Sequence, residues 1–279
     1  ESESEVIESE NVPVIIEEKS ESNEEKIKKS KINSYYRGSA GSNNFYESSI
    51  KFPEGIENSF RKNFSLNLED EFFNSILENN EYIVLSSCNG NVYFVDRFTG
   101  KIKEKMYFEN ESFEKTGIVI ENKIYINSLK KIFEINNEDL SKKEIYKSED
   151  DSYIWSNINR CGNKLSVIEF NYQNKKASLK IIDIGGNSDV QEFKFDAINF
   201  VSDKICIANN CAYILFDTNL LEYDFDKMRG NIHSLDMKND NKHRLRTDES
   251  SNIFYLNYKL FITSDLYEIF YLDLPGADY

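Results

Sequence analysis

Several small groups of residues have the types that could do chemistry. Asp183, Asn187 and Asp189 surround Gly185-Gly186 and offer the oxygen ligands a calcium ion takes. Their spacing follows no ion-binding loop, so a polar hairpin turn is the expectation there. His233-Ser234 with Asp236 holds the residue types of a hydrolase triad. Alternation along a strand sends His233 and Ser234 to opposite faces, which argues against that use. Glu69-Asp70-Glu71 is an acidic cluster whose members cannot all face one substrate, and it reads as a solvated loop. Glycoside hydrolysis needs two or three carboxylates converging at set separations, and no carboxylate here sits in a motif that places it so. Tyr35, Tyr36, Tyr153, Trp155 and Tyr172 could stack on sugars or on partner side chains, although packing within the fold accounts for most of them. No catalytic, cofactor-binding or metal-binding residue is assigned, and no cofactor is expected. Cys88, Cys161, Cys206 and Cys211 lack CxxC spacing and nearby histidines, which supports neither a zinc site nor a thioredoxin-like motif. A turn at Asn209-Asn210 pairs Ala208 with Cys211 and leaves Cys206 out of register for a bridge.

The elements that must position these groups are short strands. The organising stretch spans residues 82–108, YIVLSSCNGNVYFVDRFTGKIKEKMYF. Residues 82–87 are rich in β-branched and aromatic side chains. Asn89-Gly90 is expected to supply the positive backbone angles of a two-residue hairpin, and residues 91–96 form the return strand. Thr99-Gly100 makes the next turn, where glycine tolerates a left-handed conformation, and residues 101–108 supply a further strand. Comparable units follow at 117–148, 153–195, 204–237 and 252–274. A spacing of roughly 35 to 55 residues with four short strands per unit is the period of a β-propeller. The expected fold class is therefore all-β, a propeller of about five four-stranded blades, or six with an irregular one in residues 196–203 or 238–251. The last unit lacks a fourth strand, while residues 58–66 read as an isolated strand before the first. Joining the two closes the ring and removes an exposed sheet edge.

Residues 1–34 have the low hydrophobicity and high charge of a disordered acidic tether, leaving 35–279 as the propeller domain. Inside the tether lies one apolar island, with Val12, Val14, Ile15 and Ile16 around Pro13, which could add as a strand to a partner's sheet edge. Loops at 108–116 and 238–251 are long enough to grip a partner from the top face instead. A formal net charge of -15 argues against a nucleic-acid or anionic-membrane surface, because both need clustered Lys and Arg. No apolar run approaches the ~20 residues that span a bilayer. The chain begins at Glu rather than Met, as an expressed piece or a processed form would.

Two stretches carry a family resemblance. Tyr36-Arg37-Gly38-Ser39-Ala40-Gly41 followed by Phe45 resembles the opening motif of PQQ-like propellers, an aromatic residue and then RG-N-A-x-x-T-G. Residues 87–101, with Asn89, Gly90, Asp96, Thr99 and Gly100, resemble the repeat S-x-D-G-x-L-Y-A-L-D-x-x-T-G-K, and residues 220–230 are a fainter copy. That family includes quinoprotein dehydrogenases, BamB-like lipoproteins of outer-membrane β-barrel assembly, and luminal stress-sensor domains. The enzymes place a Trp in each blade's last strand, where this chain has Lys105, Ile145 and Phe193, and they carry an adjacent-cysteine disulfide that is absent here. The resemblance thus implies the non-enzymatic, BamB-like branch: a protein–protein interaction scaffold in the periplasm or cell envelope, with a lipid anchor outside this chain as its membrane contact. The alternatives it leaves are a carbohydrate-binding or glycoside-processing propeller and a PQQ-dependent dehydrogenase relative.

Overall fold

The computed structural model describes residues 65–68, 70–71, 76–79, 81–149, 151–186, 189–235, 251–256, 258–263 and 269–274. These residues form antiparallel strands in five sheets, and none of them is helical. The first sheet runs β1 (Leu77–Glu78), β2 (Tyr82–Ser86), β3 (Asn91–Asp96) and β4 (Ile102–Tyr107), and the second β5 (Ile118–Ile120), β6 (Lys123–Asn127), β7 (Lys131–Asn136) and β8 (Lys142–Lys147). In the third, β9 (Tyr153–Ile154) and β10 (Asn159–Cys161) both pair with β11 (Lys164–Asn171), followed by β12 (Lys176–Asp183) and β13 (Val190–Asp196). The fourth holds β14 (Val201–Ala208), β15 (Cys211–Phe216), β16 (Asn219–Asp224) and β17 (Arg229–Ser234). The fifth holds β18 (Ile253–Leu256), β19 (Lys259–Thr263) and β20 (Ile269–Asp273).

Each of the three middle sheets buries one face against its predecessor and the other against its successor, as propeller blades do. Val92 and Phe94 of the first blade pack with Ile124 and Ile126 of the second. Ile118 and Ile132 of the second meet Leu165 and Val167 of the third. Leu179 and Phe195 then join Ile214 and Leu221 of the fourth, and Leu215 and Leu220 join Leu260 and Ile262 of the fifth. Two-faced burial explains why the middle strands read as unbroken apolar runs, every residue of β15 being buried, while the outermost β4 and β17 are almost wholly exposed. Each fully buried Ile, Leu or Phe contributes about 1.5–3 kcal/mol, so the four inter-blade clusters supply most of the favourable free energy.

Hydrogen bonds tie the loops into two rims. On the lower rim the turn after each third strand donates to the turn after the first strand: Arg97 N to Glu81 O, Asn137 N to Asn122 O, Ile184 N to Asn163 O and Phe225 N to Asn210 O. The upper rim joins the exit from each fourth strand to a turn between second and third strands, as in Phe113 N to Ser87 O and Ala197 N to Lys175 O.

Two expectations change. Asn89-Gly90 does not form a two-residue hairpin; Ser87 N pairs with Asn91 O across a three-residue loop in which Gly90 alone takes a positive φ, 77°. β14 begins at Val201, so residues 196–203 hold the end of one blade and the start of the next rather than an irregular sixth. The 108–116 loop is anchored, because Phe108 and Phe113 are buried against Phe133 with ring centroids 4.8 and 6.3 Å away. The 238–251 loop, apart from Ser251, lies outside the described residues, as do residues 58–64 of the closing strand; residues 65 and 66 are not in a strand. Ala208 does pair with Cys211 across Asn209-Asn210, both with positive φ, and all four cysteines are free thiols.

Candidate functional site

The residues of the repeat motif build turns. Asp96 Oδ1 accepts the backbone N–H groups of Phe98 and Thr99 at 3.1 and 2.8 Å and the Thr99 hydroxyl at 2.9 Å, while Gly100, at φ 69°, donates back to Asp96 O. The Thr99 N–H is the main reason the Asp96 carboxyl lies below its usual pKa. Asp224 repeats the device: its Oδ1 takes Asp226 N and Lys227 N, and the Lys227 ammonium, 2.6 Å from Oδ2, does most to lower its pKa. In the second blade Asn136 Oδ1 accepts Glu138 N in the same place. Val12, Val14, Ile15, Ile16, Tyr36, Arg37 and Gly38 lie outside the described residues.

Asp70 corrects the reading of Glu69-Asp70-Glu71 as a solvated loop. Its carboxylate receives Asn89 Nδ2 at 3.1 Å, Asn91 Nδ2 at 2.9 Å and the Tyr93 hydroxyl at 2.5 Å, and Cys88 N donates to Glu71 O. The Tyr93 bond leads the lowering of the Asp70 pKa. Asn91 and Tyr93 are two residues apart in β3 and so share one face of the strand, and Asn89 joins them from the preceding loop.

Other reactive types are similarly committed to structure. His233 Nε2 lies 2.9 Å from Glu222 Oε2, whose partner oxygen accepts the Tyr213 hydroxyl, and Asp236 is outside the described residues. Burial pushes Cys206 up to about 12 and Cys211 up to about 11, so neither supplies a thiolate at neutral pH. Asp183 Oδ1 accepts Gly185 N at 2.7 Å and Asp183 N donates to Asp189 O, a closed hairpin turn; Asn187 is outside the described residues. Among the described residues no three His, Cys, Asp or Glu side chains converge as metal ligands.

What the structure does assemble is an aromatic and cationic surface on the upper rim of the third blade. Residues 155–158 bulge between β9 and β10, four residues standing opposite Val167 and Ile168 of β11. Ile154 N donates to Leu129 O of the second blade, and the Trp155 indole N–H donates to Val201 O of the fourth, so the bulge spans three blades. Tyr172 meets Phe170, Trp155 and Tyr153 with ring centroids 4.7, 5.8 and 6.2 Å apart, edge to face. Lysines border the rings: Lys130 Nζ lies 4.1 Å from the Tyr153 centroid, Lys115 Nζ 5.0 Å from Trp155, and Lys175 Nζ 5.9 Å from Phe170.

Beside this cluster the chain holds an isoleucine out to solvent. Ile198 is 66% exposed. The Asp217 carboxylate accepts Ile198 N at 2.9 Å, Asn199 N at 2.8 Å and Phe200 N at 3.0 Å, and Asp217 N returns a bond to Phe200 O. Ala197 N donates to Lys175 O, joining this loop to the turn that carries Tyr172. The sequence reading found Tyr153, Trp155 and Tyr172 but missed Ile198, Asp217 and the lysines. The one available signal was Asp217-Thr218 as a turn; its grip on a loop nineteen residues away is tertiary.

No protein-family model and no curated protein matches the sequence. Solved structures do. The chain is similar to BamB from Moraxella catarrhalis with TM-score 0.54 and 10% identity, over 75% of this chain and 60% of that one. It is similar to the quinohemoprotein alcohol dehydrogenase ADHIIG from Pseudomonas putida HK5 with TM-score 0.55 and 10% identity, over 75% of this chain and 41% of that one. Kluyveromyces lactis Hsv2 matches with TM-score 0.51 and 9% identity, over 71% and 60%. The chain thus spans less than two thirds of each of these neighbours. Successive antiparallel meanders packed face to face, together with these likenesses, show that the chain has a β-propeller fold like that of BamB and the quinohemoprotein dehydrogenase.

Proposed function

We propose that this chain is a non-catalytic propeller that serves as a protein–protein interaction scaffold in the cell envelope, in the manner of BamB-like proteins of outer-membrane protein assembly. The observation that carries the reading is the upper rim of the third blade, where Asp217 fixes the backbone behind an exposed Ile198 next to the Tyr153–Trp155–Tyr172 cluster. Apolar and aromatic anchors held rigid before contact are what protein hot spots consist of, because little side-chain and loop freedom is then lost on binding. A non-catalytic role is supported by the commitment of Asp70, Asp96, Asp224 and Glu222 to turn and clamp contacts. The envelope assignment rests on the BamB-like repeat. The Val12–Ile16 island remains a second proposed contact.

A native pull-down in mild detergent followed by mass spectrometry tests this, run with the full chain and with a form lacking residues 1–34. Stoichiometric recovery of envelope assembly proteins supports the scaffold, and dependence on the tail would move the contact to Val12–Ile16. Recovery of the chain alone, together with alcohol turnover in the presence of added quinone and calcium, would replace the scaffold with the dehydrogenase alternative.

A further inference from the structure

We propose that Asn127 binds a buried water molecule in the seam between the second and third blades, and that this water ties β6 to the 155–158 bulge. Among the described residues, Asn127 Oδ1, Ser166 Oγ and Gln191 Oε1 are buried side-chain oxygens that meet no hydrogen-bonding group of the protein. Asn127 is fully buried at the end of β6, and alternation puts it on the face that Tyr125 packs against Ile154 and Ile158 of the third blade. Its Nδ2 donates to Ser156 O at 3.4 Å, so the amide reaches across the seam to the bulge. Rotating the amide by half a turn would set Oδ1 against the Ser156 carbonyl, acceptor on acceptor, so the oxygen stays on the side without a protein donor.

The polar groups around it are spent on one another. Ser156 Oγ donates to Asn157 O at 2.9 Å and accepts Ile168 N at 2.8 Å, Asn159 Nδ2 donates to Asn157 O at 3.3 Å, and Asn157 Oδ1 accepts Thr116 N at 2.8 Å. Ser156, Asn157 and Asn159 are themselves buried. An acceptor left unmet in such a place carries its full desolvation penalty, which a bound water removes. A buried water takes about two to four polar partners; the Asn127 oxygen and the Ser156 carbonyl are acceptors for it, and Asn157, its oxygen committed to Thr116, brings an NH2 donor on the adjoining residue. These side chains are amides and hydroxyls without a carboxylate among them, so they suit a neutral ligand rather than a cation, whose charge would stay uncompensated.

The test is a high-resolution crystal structure of the full chain, paired with oxygen-17 relaxation dispersion of water in solution, which counts waters that stay bound for longer than bulk exchange allows. The density should show a single peak about 2.7–3.2 Å from Asn127 Oδ1. Asn127→Leu keeps an apolar side chain of similar size and removes the acceptor, so the peak should vanish and the count of long-lived waters should fall by one. Ser166→Ala removes a different buried oxygen and should leave the peak at Asn127 in place. If Asn127→Leu does not fold, the density of the parent chain decides alone. The proposal is overturned if no peak lies within hydrogen-bond distance of Asn127 Oδ1, if a protein donor occupies that position instead, or if Asn127→Leu keeps the parent's count. A peak ringed by oxygens at about 2.4 Å would identify a metal cation and overturn it as well.

Discussion

Replacing Lys180 by Met should be the most damaging single change among the polar residues of the third blade. The Lys180 and Glu169 side chains are only 6% and 3% exposed, with Nζ 3.4 Å from Glu169 Oε2 and 2.7 Å from Glu192 Oε1. Tyr146 of the second blade donates its hydroxyl to Glu169 Oε1, so the cluster lies in the seam between two blades. Burial works against the Lys180 charge, but the Glu192 hydrogen bond and the two carboxylates outweigh it and hold the lysine pKa above its ordinary value. Methionine keeps the volume, so packing should cost under about 1.5 kcal/mol. The larger loss is the Glu169 carboxylate left buried with the Tyr146 hydroxyl as its main support, worth about 3–5 kcal/mol. Urea unfolding should show a lowered midpoint with an unchanged slope. Adding Glu169→Gln removes the stranded charge while keeping an acceptor for Tyr146, and should restore about 2–3 kcal/mol in a double-mutant cycle. A loss below about 1 kcal/mol for Lys180→Met, or no recovery in the double variant, would falsify the view that this cluster is a desolvated ionic pin.

Further outcomes follow from the turns. Met228 occupies, at φ 55°, the place that Gly100 takes in the first blade, so Met228→Gly should raise stability by about 0.5–1 kcal/mol by relieving left-handed strain; a lower urea midpoint would contradict this. Gly230 faces the Phe193 ring of the neighbouring blade, where an added Cβ would sit 2.6 Å from Phe193 Cζ. Gly230→Ala should therefore cost about 1–3 kcal/mol by overpacking, and an unchanged midpoint would show that the ring gives way freely. The Asp96 and Asp224 carboxyls lie below 3.8 in the folded chain, so their stabilisation is present above that value and fades as pH falls through their folded pKa. Asn136 makes the same turn without titrating, so Asp96→Asn with Asp224→Asn should flatten the acid limb of the stability–pH curve below about pH 5; an acid limb as steep as the parent's would refute it. Removal of residues 1–34 should leave the unfolding midpoint unchanged, and a lower one would extend the folded domain into the tail.

How much could be read from the chain differs between its architecture and its site. Blades were legible because strands buried on both faces must be continuously apolar, as in residues 211–216, and because the lower turns of the first, second and fourth blades repeat an Asp or Asn followed four residues on by a left-handed position. Leu140 and Met228 fill that position in two blades, where a reader looking for glycine would pass over the turn. The hairpin at Asn89-Gly90 was misread because the pair also suits a three-residue loop, and the flanking Ser87–Asn91 register decides between them. Asp70 was hidden by its acidic neighbours, and its contacts with loop residue Asn89 and with Asn91 and Tyr93 of β3 are tertiary. Ile198 could not be read at all. Its exposure is sustained by a carboxylate from the next blade, and nothing local distinguishes it from a core isoleucine.

The upper-rim claim is tested most directly by placing a photo-crosslinking amino acid at position 198 in the full chain inside its own cells, with position 98 as the control. The control is matched, since Phe98 is 69% and Ile198 66% exposed, and Phe98 sits in a lower-rim turn. The account predicts a discrete crosslinked partner from position 198 and none from position 98. Equal yields from both, or a partner captured from position 98 alone, would contradict it.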